Sequence, residues 1–92
     1  MGDGIKMTYD EMDRTCTELT SIVGEIITYK DKMMTNVENL CDSWKSNASN
    51  RHLEEFQNVD DQISKLTGMA EQLVASVKQY RADMEELDNS YA

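Results

Sequence analysis

Residues 40–50 read LCDSWKSNASN and lie close to the middle of a chain of 92 residues. The stretch holds the single Trp of the chain, Trp44, and the densest cluster of Ser and Asn. Ser and Asn compete with the helical backbone for hydrogen bonds, so they are typical of caps and turns. Long apolar heptad patterns flank the stretch on both sides. We therefore predict that residues 45–48 form the bend of a two-helix hairpin.

The predicted first helix spans residues 8–44 and has apolar residues at alternating steps of four and three. This spacing is typical of a helix that packs along a seam. Thr8 and Glu11 fit a capping box at its start. The apolar residues are Met12, Cys16, Leu19, Val23, Ile26, Met33, Val37, Leu40 and Trp44, with Lys30 as the one interruption.

The apolar stripe of the first helix is wider than a single seam. It is flanked by Ile27, Met34 and Cys41 on one side and by Ile22 and Tyr29 on the other. A stripe this wide contacts more than one neighbouring helix. We therefore expect a dimer or partner interface made of Met12, Cys16, Leu19, Val23, Ile26, Ile27, Met33, Met34, Val37 and Phe56.

The predicted second helix spans residues 49–87 and has an unbroken heptad pattern. Its apolar positions are Phe56, Val59, Ile63, Leu66, Ala70, Leu73, Val77, Tyr80, Met84 and Leu87. Helices joined by a short bend run antiparallel. The expected fold is therefore one all-α domain, an antiparallel two-helix hairpin that dimerises into a four-helix bundle. Residues 1–7 are expected to form a loose arm and residues 88–92 a frayed tail.

Composition restricts the partners of the chain. A formal net charge of −9 disfavours nucleic acid and anionic membrane surfaces, which are bound by clustered Lys and Arg. The sequence has no run of 18 apolar residues, so we expect no stable membrane insertion. A chain of this size buries only about 60–65% of the surface that its unfolded form exposes, so a lone hairpin is marginal. We therefore expect a second helical protein to bury further apolar surface of the hairpin.

No cluster of residues predicts catalysis, a cofactor or a metal site. The single His, His52, is expected to pack at the edge of the second helix's seam. Cys16 and Cys41 would lie about 37 Å apart on one helix, too far for a disulfide, so we expect two reduced, packed thiols. Asp60 and Asp61 face directions about 100° apart, which disfavours a shared ion. We expect a non-enzymatic protein.

Trp44 has two interpretations. As a structural residue it fills the end of the hairpin, and truncation to Ala would cost about 3–5 kcal/mol if the ring is buried. As a functional residue it is an aromatic anchor for recognition at the tip. Both roles can hold together.

The arrangement of two heptad helices around a central Trp turn resembles the WXG family, the small Trp-X-Gly, Esx-type proteins of type VII secretion. In sequence, the resemblance rests on Leu40, Trp44, Ala48 and Phe56, with the turn motif at Trp44, Lys45 and Ser46. Ser46 replaces the glycine of the motif, which indicates a divergent member. A Ser can make this turn if it need not adopt a positive φ.

A candidate export signal also follows from the resemblance. Mycobacterial-type members carry Tyr-X-X-X-Asp/Glu after the second helix. Here Tyr80 is followed by Asp83 and Glu85, one residue short of the acidic position and one beyond it. The alternative is that Tyr80 is a core residue, since it lies on the heptad pattern.

The resemblance implies export by a secretion ATPase without a cleaved signal peptide, from a cytoplasmic pool, as substrate, co-secreted chaperone or targeting partner. The implied partner is a second copy, a similar small helical protein, or the N-terminal helical domain of a larger type VII effector. No cofactor is implied. The competing hypothesis is a cytoplasmic coiled-coil adaptor, immunity or scaffold protein that is not secreted. It predicts the same rod but gives no reason for a lone Trp at the bend.

Overall fold

Two long antiparallel helices make up the structure. The computed structural model describes residues 8–90, so the predicted arm, residues 1–7, and residues 91–92 lie outside the described part. Helix α1 spans Tyr9–Trp44 and helix α2 spans Asn47–Ser90. Only Lys45 and Ser46 lie between them. The predicted all-α hairpin is confirmed.

The hairpin is a rod rather than a globule. Residues 8–90 extend over 69 × 22 × 19 Å, with a radius of gyration of 20.3 Å. A compact domain of this length would have a radius of gyration of roughly 12 Å. Burial is therefore confined to the line along which α1 and α2 meet.

The start of α1 shows the hydroxyl half of the predicted capping box, in which Thr8 accepts the backbone N–H of Glu11. The Thr8 hydroxyl accepts the backbone N–H of Glu11 at 3.1 Å, and it donates to the Glu11 carboxylate at 3.1 Å. The Met12 N–H reaches the Thr8 carbonyl at 2.9 Å. Thr8 is thus the cap rather than the first helical residue, and α1 begins at Tyr9.

The bend needs two residues instead of the four predicted. Lys45 ends α1 in the left-handed region, with φ 49° and ψ 64°, and its N–H donates to the Cys41 carbonyl at 3.0 Å. Ser46 then caps α2: its hydroxyl accepts the Ser49 N–H at 3.1 Å, and its own N–H donates to the Ser49 hydroxyl at 2.8 Å. This reciprocal pair resembles a capping box with Ser in place of Glu. Helix α2 therefore begins at Asn47, two residues before the predicted start.

The far end of α2 is fastened to the start of α1. The Tyr9 hydroxyl donates to the Asp88 carboxylate, and the Arg81 guanidinium lies over the Tyr9 ring at 4.9 Å. Arg81 also forms an ion pair with Asp13 at 3.2 Å. These contacts stabilise the last turn of α2, which ends at Ser90. Residues 88–90 are therefore helical and not the frayed tail that we predicted.

The two helices meet along a line that we call the inner seam. Its most buried residues are Cys16, Val23, Met34 and Cys41 of α1 and Ser49, Thr67 and Val74 of α2. Both cysteines are buried, which agrees with their predicted packing. Lys30, the interruption in the heptad pattern, reaches Asp31 at 2.9 Å and crosses to Asp60 at 3.0 Å. Hydrogen bonds to Asp31 and then to Asp60 raise the pKa of Lys30.

Candidate partner-binding face

Ten large apolar side chains remain exposed on the rod, each with 38–68% of its surface open to solvent. We call this set the outward face. It comprises Ile22, Tyr29, Leu40 and Trp44 of α1 and Val59, Leu66, Met69, Leu73, Tyr80 and Leu87 of α2. Single exposed apolar residues are ordinary on protein surfaces, but a contiguous set is typical of an interaction site.

Most of the α2 contribution forms one line. Five residues follow one another at intervals of seven: Val59, Leu66, Leu73, Tyr80 and Leu87. Residues seven apart lie on the same side of a helix, with a drift of only about 20° per heptad. Met69 lies between Leu66 and Leu73, one step further around the helix. The line therefore runs along most of α2.

The α1 residues lie on the same side of the rod as this line. A cavity of about 130 Å³ at the open end of the hairpin is lined by Met12, Thr15, Cys16, Leu19, Leu73, Val74 and Val77. Leu73 thus borders the side of α1 that carries Thr15 and Leu19. Ile22 and Tyr29 follow Thr15 at intervals of seven, so they lie on that side too. The outward face is one surface built from both helices.

The inner seam leaves this surface uncovered because α2 is rotated from the predicted orientation. We expected α2 to pack through two lines of residues spaced seven apart, the line that contains Phe56 and the line that contains Val59. The structure instead uses the Phe56 line together with the line of Leu53, Asp60, Thr67, Val74 and Arg81, all buried or half-buried. Lines three residues apart differ by about 60° around a helix. That rotation turns the more apolar line outward.

Polar contacts explain the rotation. Asp60 and Arg81 find partners on α1, Lys30 at 3.0 Å and Asp13 at 3.2 Å. The Thr67 hydroxyl is satisfied by the Ile63 carbonyl at 3.0 Å. Burial lowers the pKa of Arg81, but the carboxylates of Asp13 and Glu85 overcome this and raise it. Buried polar groups need such partners, so the polar line can occupy the inner seam.

Trp44 stands at the bend end of the outward face. Its ring stacks on His52 with centroids 5.9 Å apart, and 51% of its surface is exposed. His52 is itself exposed, with Nδ1 2.9 Å from the Glu55 carboxylate. In the single chain, Trp44 therefore does not fill the end of the hairpin as a buried residue would. Lys45 supplies the left-handed conformation of the turn, so Ser46 needs no positive φ.

The structure divides the residues that we assigned to a partner interface. Three of them, Cys16, Val23 and Met34, are buried against α2 of the same chain and offer no surface to a partner. The remaining seven are half-buried along the edge of the inner seam: Met12, Leu19, Ile26, Ile27, Met33, Val37 and Phe56. The most exposed apolar residues, largely on α2, were missed. The polar line at Asp60, Thr67 and Arg81, matched by Asp13 and Lys30, was the signal that could have revealed them.

The three candidate export-signal residues do not point in one direction. Tyr80 belongs to the outward face and is 55% exposed, so it is not a residue of the inner seam. Asp83 is exposed and accepts a hydrogen bond from the Gln79 amide at 2.9 Å. Glu85 is half-buried and bound to Arg81. Tyr80 and Asp83 lie on neighbouring lines of α2, whereas Glu85 turns back toward α1.

Residues 8–90 bring together no group of three or more His, Cys, Asp or Glu side chains suited to a metal ion. Over the same residues, neither helix has a stretch long and apolar enough to cross a membrane.

No curated protein and no solved structure matches the chain. A family model does match, over residues 4–89, and so includes both helices and the Trp44 bend. That family, described as proteins of 100 residues with WXG, consists of small helical, non-enzymatic proteins of type VII secretion systems. The chain belongs to the WXG100 family.

Proposed function

We propose that this protein is exported by a type VII secretion system and acts there by binding a helical partner through the outward face. Family membership supports the export. The outward face supports the binding, and it is the observation that carries the proposal. Completing the burial of these ten partly exposed apolar side chains would favour association.

The role is binding rather than catalysis. The members of the family are non-enzymatic. The charged groups of the described residues form ion pairs spread along the rod, as with Lys30 and Asp60, instead of converging in a pocket. A partner would be a second helical hairpin or the helical domain of a larger effector, because either presents an apolar stripe of matching length.

Export is tested by quantitative mass spectrometry of culture supernatants from the source strain, with and without the secretion ATPase, with a cytoplasmic protein as lysis marker. We expect the protein in the medium only when the ATPase is present. Retention in the cells of both strains would contradict the proposal and favour the cytoplasmic adaptor.

The export signal is tested in the same strain. We propose that Tyr80 and Asp83 are read together, because both are exposed on neighbouring lines of α2. Tyr80→Ala and Asp83→Ala should then lower the amount in the medium while leaving the cellular pool intact. Glu85→Ala is the matched control, since Glu85 is held by Arg81 and should not affect export. Export that depends on Glu85 and not on Asp83 would contradict this assignment.

A further inference from the structure

We propose that the open end of the hairpin separates from the rest of the rod as one unit, and that Arg81 is the residue that holds it closed. The unit comprises residues 9–15 of α1 and residues 77–90 of α2. Such an opening goes beyond the proposed function, which concerns partner binding and export. Two features carry it: apolar packing is thin at this end of the rod, and the polar contacts that replace it converge on one side chain.

Burial decreases toward the open end. The last buried residues are Cys16 of α1 and Val74 of α2, with 5% and 7% of their surfaces exposed. Beyond them, none of the described residues 8–15 and 75–90 is buried. Local opening takes the least free energy where few apolar side chains are buried. The open end is therefore held by little apolar packing.

An apolar cavity lies beside this last buried layer. Its volume is about 130 Å³, and its lining includes Met12, Cys16, Val74 and Val77. Side chains that line a cavity lack contact atoms on one side, so they lose part of the dispersion attraction of close packing. The layer between the inner seam and the open end is therefore incompletely packed. We expect the two parts of the rod to separate at this layer.

The polar contacts beyond the cavity converge on Arg81. Its Nη2 donates to the Asp13 carboxylate at 3.2 Å, and its Nη1 donates to Glu85. The same guanidinium lies over the Tyr9 ring at 4.9 Å. Among residues 8–90, the other polar contact between the helices at this end is the hydrogen bond from Tyr9 to Asp88. Loss of the Arg81 side chain would leave that exposed hydrogen bond alone.

The closed state is held only weakly. The side chains of Arg81 and Asp13 are 25% and 52% exposed, and ion pairs that water can reach contribute little to stability. The Nε atom of Arg81 is buried and lies 3.2 Å from the Asp13 carboxylate, but it forms no hydrogen bond within residues 8–90. A buried donor without an acceptor favours a state in which water can reach it. Both observations favour an end that opens readily.

Opening would unwind the end segments and uncover Cys16. A detached segment as short as residues 77–90 is marginal as a helix in water, where isolated helices need more than about 12–15 residues. Cys16 would lose its cover from α2, whereas Cys41 lies near the bend and would stay buried. Tyr80 and Asp83 lie on the segment that opens, so their presentation would change too, and this consequence alone rests on the proposed function.

Thiol labelling tests the role of Arg81. N-ethylmaleimide is added to dilute folded protein, and peptide mass spectrometry follows Cys16 and Cys41 separately. We expect Arg81→Gln to speed the labelling of Cys16 by roughly tenfold, since an ion pair and a cation–π contact are lost, and to leave Cys41 unchanged. Lys78→Gln is the matched control, because it removes the same charge from an exposed position nearby and should change neither rate. An unchanged Cys16 rate in Arg81→Gln, or equal acceleration of both thiols, would overturn the proposal.

Hydrogen exchange of the native chain tests whether the end opens as one unit. We expect the amides of residues 80–88 to share one protection factor, lower than the protection of residues 60–74. Simple fraying of a helix end would instead give protection that rises steadily inward from Ser90, and such a gradient would overturn the proposal. Both measurements use purified protein, so their outcomes do not depend on whether the chain is exported.

Discussion

The inner seam and the outward face differ in polarity along α2, because one of the two α2 lines in the seam contains polar residues and the α2 line of the face is apolar. The inner seam contains Asp60, Thr67 and Arg81, whereas the outward face has large apolar residues at every heptad from Val59 to Leu87. Polar groups in a seam fix the register of two helices at a cost in stability. Apolar groups on a surface supply area for association. We infer that the inner seam specifies the hairpin and that the outward face stabilises it through a partner.

The largest expected effect comes from placing a charge in the inner seam. Val74 is 7% exposed and packs beside Cys16. Val74→Asp buries an unpaired carboxylate and should lower the unfolding free energy by about 3–5 kcal/mol. This loss is comparable with the total stability of a small domain. Thermal unfolding followed by circular dichroism measures this. Ala75→Asp, one residue on and exposed, is the control. Equal melting of the two variants would mean that Val74 is not in the seam.

The next effect separates the outward face from the inner seam. Leu66 is 59% exposed, so Leu66→Ser should change the unfolding free energy of the single chain by no more than about 0.5 kcal/mol. The same change should weaken association by roughly tenfold or more, since one large apolar contact is lost. Melting at low and at high protein concentration distinguishes the two effects. Lys65→Ser is the control, and equal losses at both concentrations would contradict the division.

A smaller effect tests whether the back of the rod, opposite the outward face, is free. A methyl group added at Gly24 would meet no heavy atom within 4 Å. We therefore expect Gly24→Ala to stabilise the hairpin by about 0.5–1 kcal/mol, because Gly has excess freedom in the unfolded chain. Gly68→Ala, equally open in α2, should behave alike. Chemical denaturation measures both. A loss of stability in either variant would show that a helix covers the back.

The smallest effect concerns the contacts that fasten the end of α2. The hydrogen bond to Asp88 raises the pKa of Tyr9 to about 12. A raised folded pKa favours the protonated form, so this contribution is present below the ordinary tyrosine pKa of about 10 and is lost between pH about 10 and 12. Tyr9→Phe should reduce the fall in stability over that range. An identical pH dependence in the variant would exclude Tyr9 from the fastening contacts.

The hairpin itself could be predicted from the sequence because two signals agree. The heptad pattern requires helices, and the Ser and Asn cluster around Trp44 requires a break between them. The bend was predicted too long because the Ser and Asn residues around Trp44 are all of types that cap helices, and their spacing does not choose among them. The reciprocal bonds between Ser46 and Ser49, which decide the cap, depend on geometry that spacing alone does not reveal.

The rotation of α2 could not be predicted from apolar spacing. The pattern placed the most apolar pair of lines in the seam, as hydrophobic burial alone would. The structure places a line containing Asp60 and Arg81 there, because Lys30 and Asp13 of α1 lie opposite them. Recognising those pairs requires the register of α1 against α2. The interruption at Lys30 was visible in the sequence, but its partner was not.

The most direct test of the account is the mass of the unmodified protein in solution, by sedimentation equilibrium over a concentration series. We expect twice the chain mass of 10.5 kDa at roughly tens of micromolar, where a micromolar dissociation constant leaves most chains paired. The mass should fall toward 10.5 kDa on dilution. A mass of 10.5 kDa at every concentration would contradict the expected dimerisation of the hairpin.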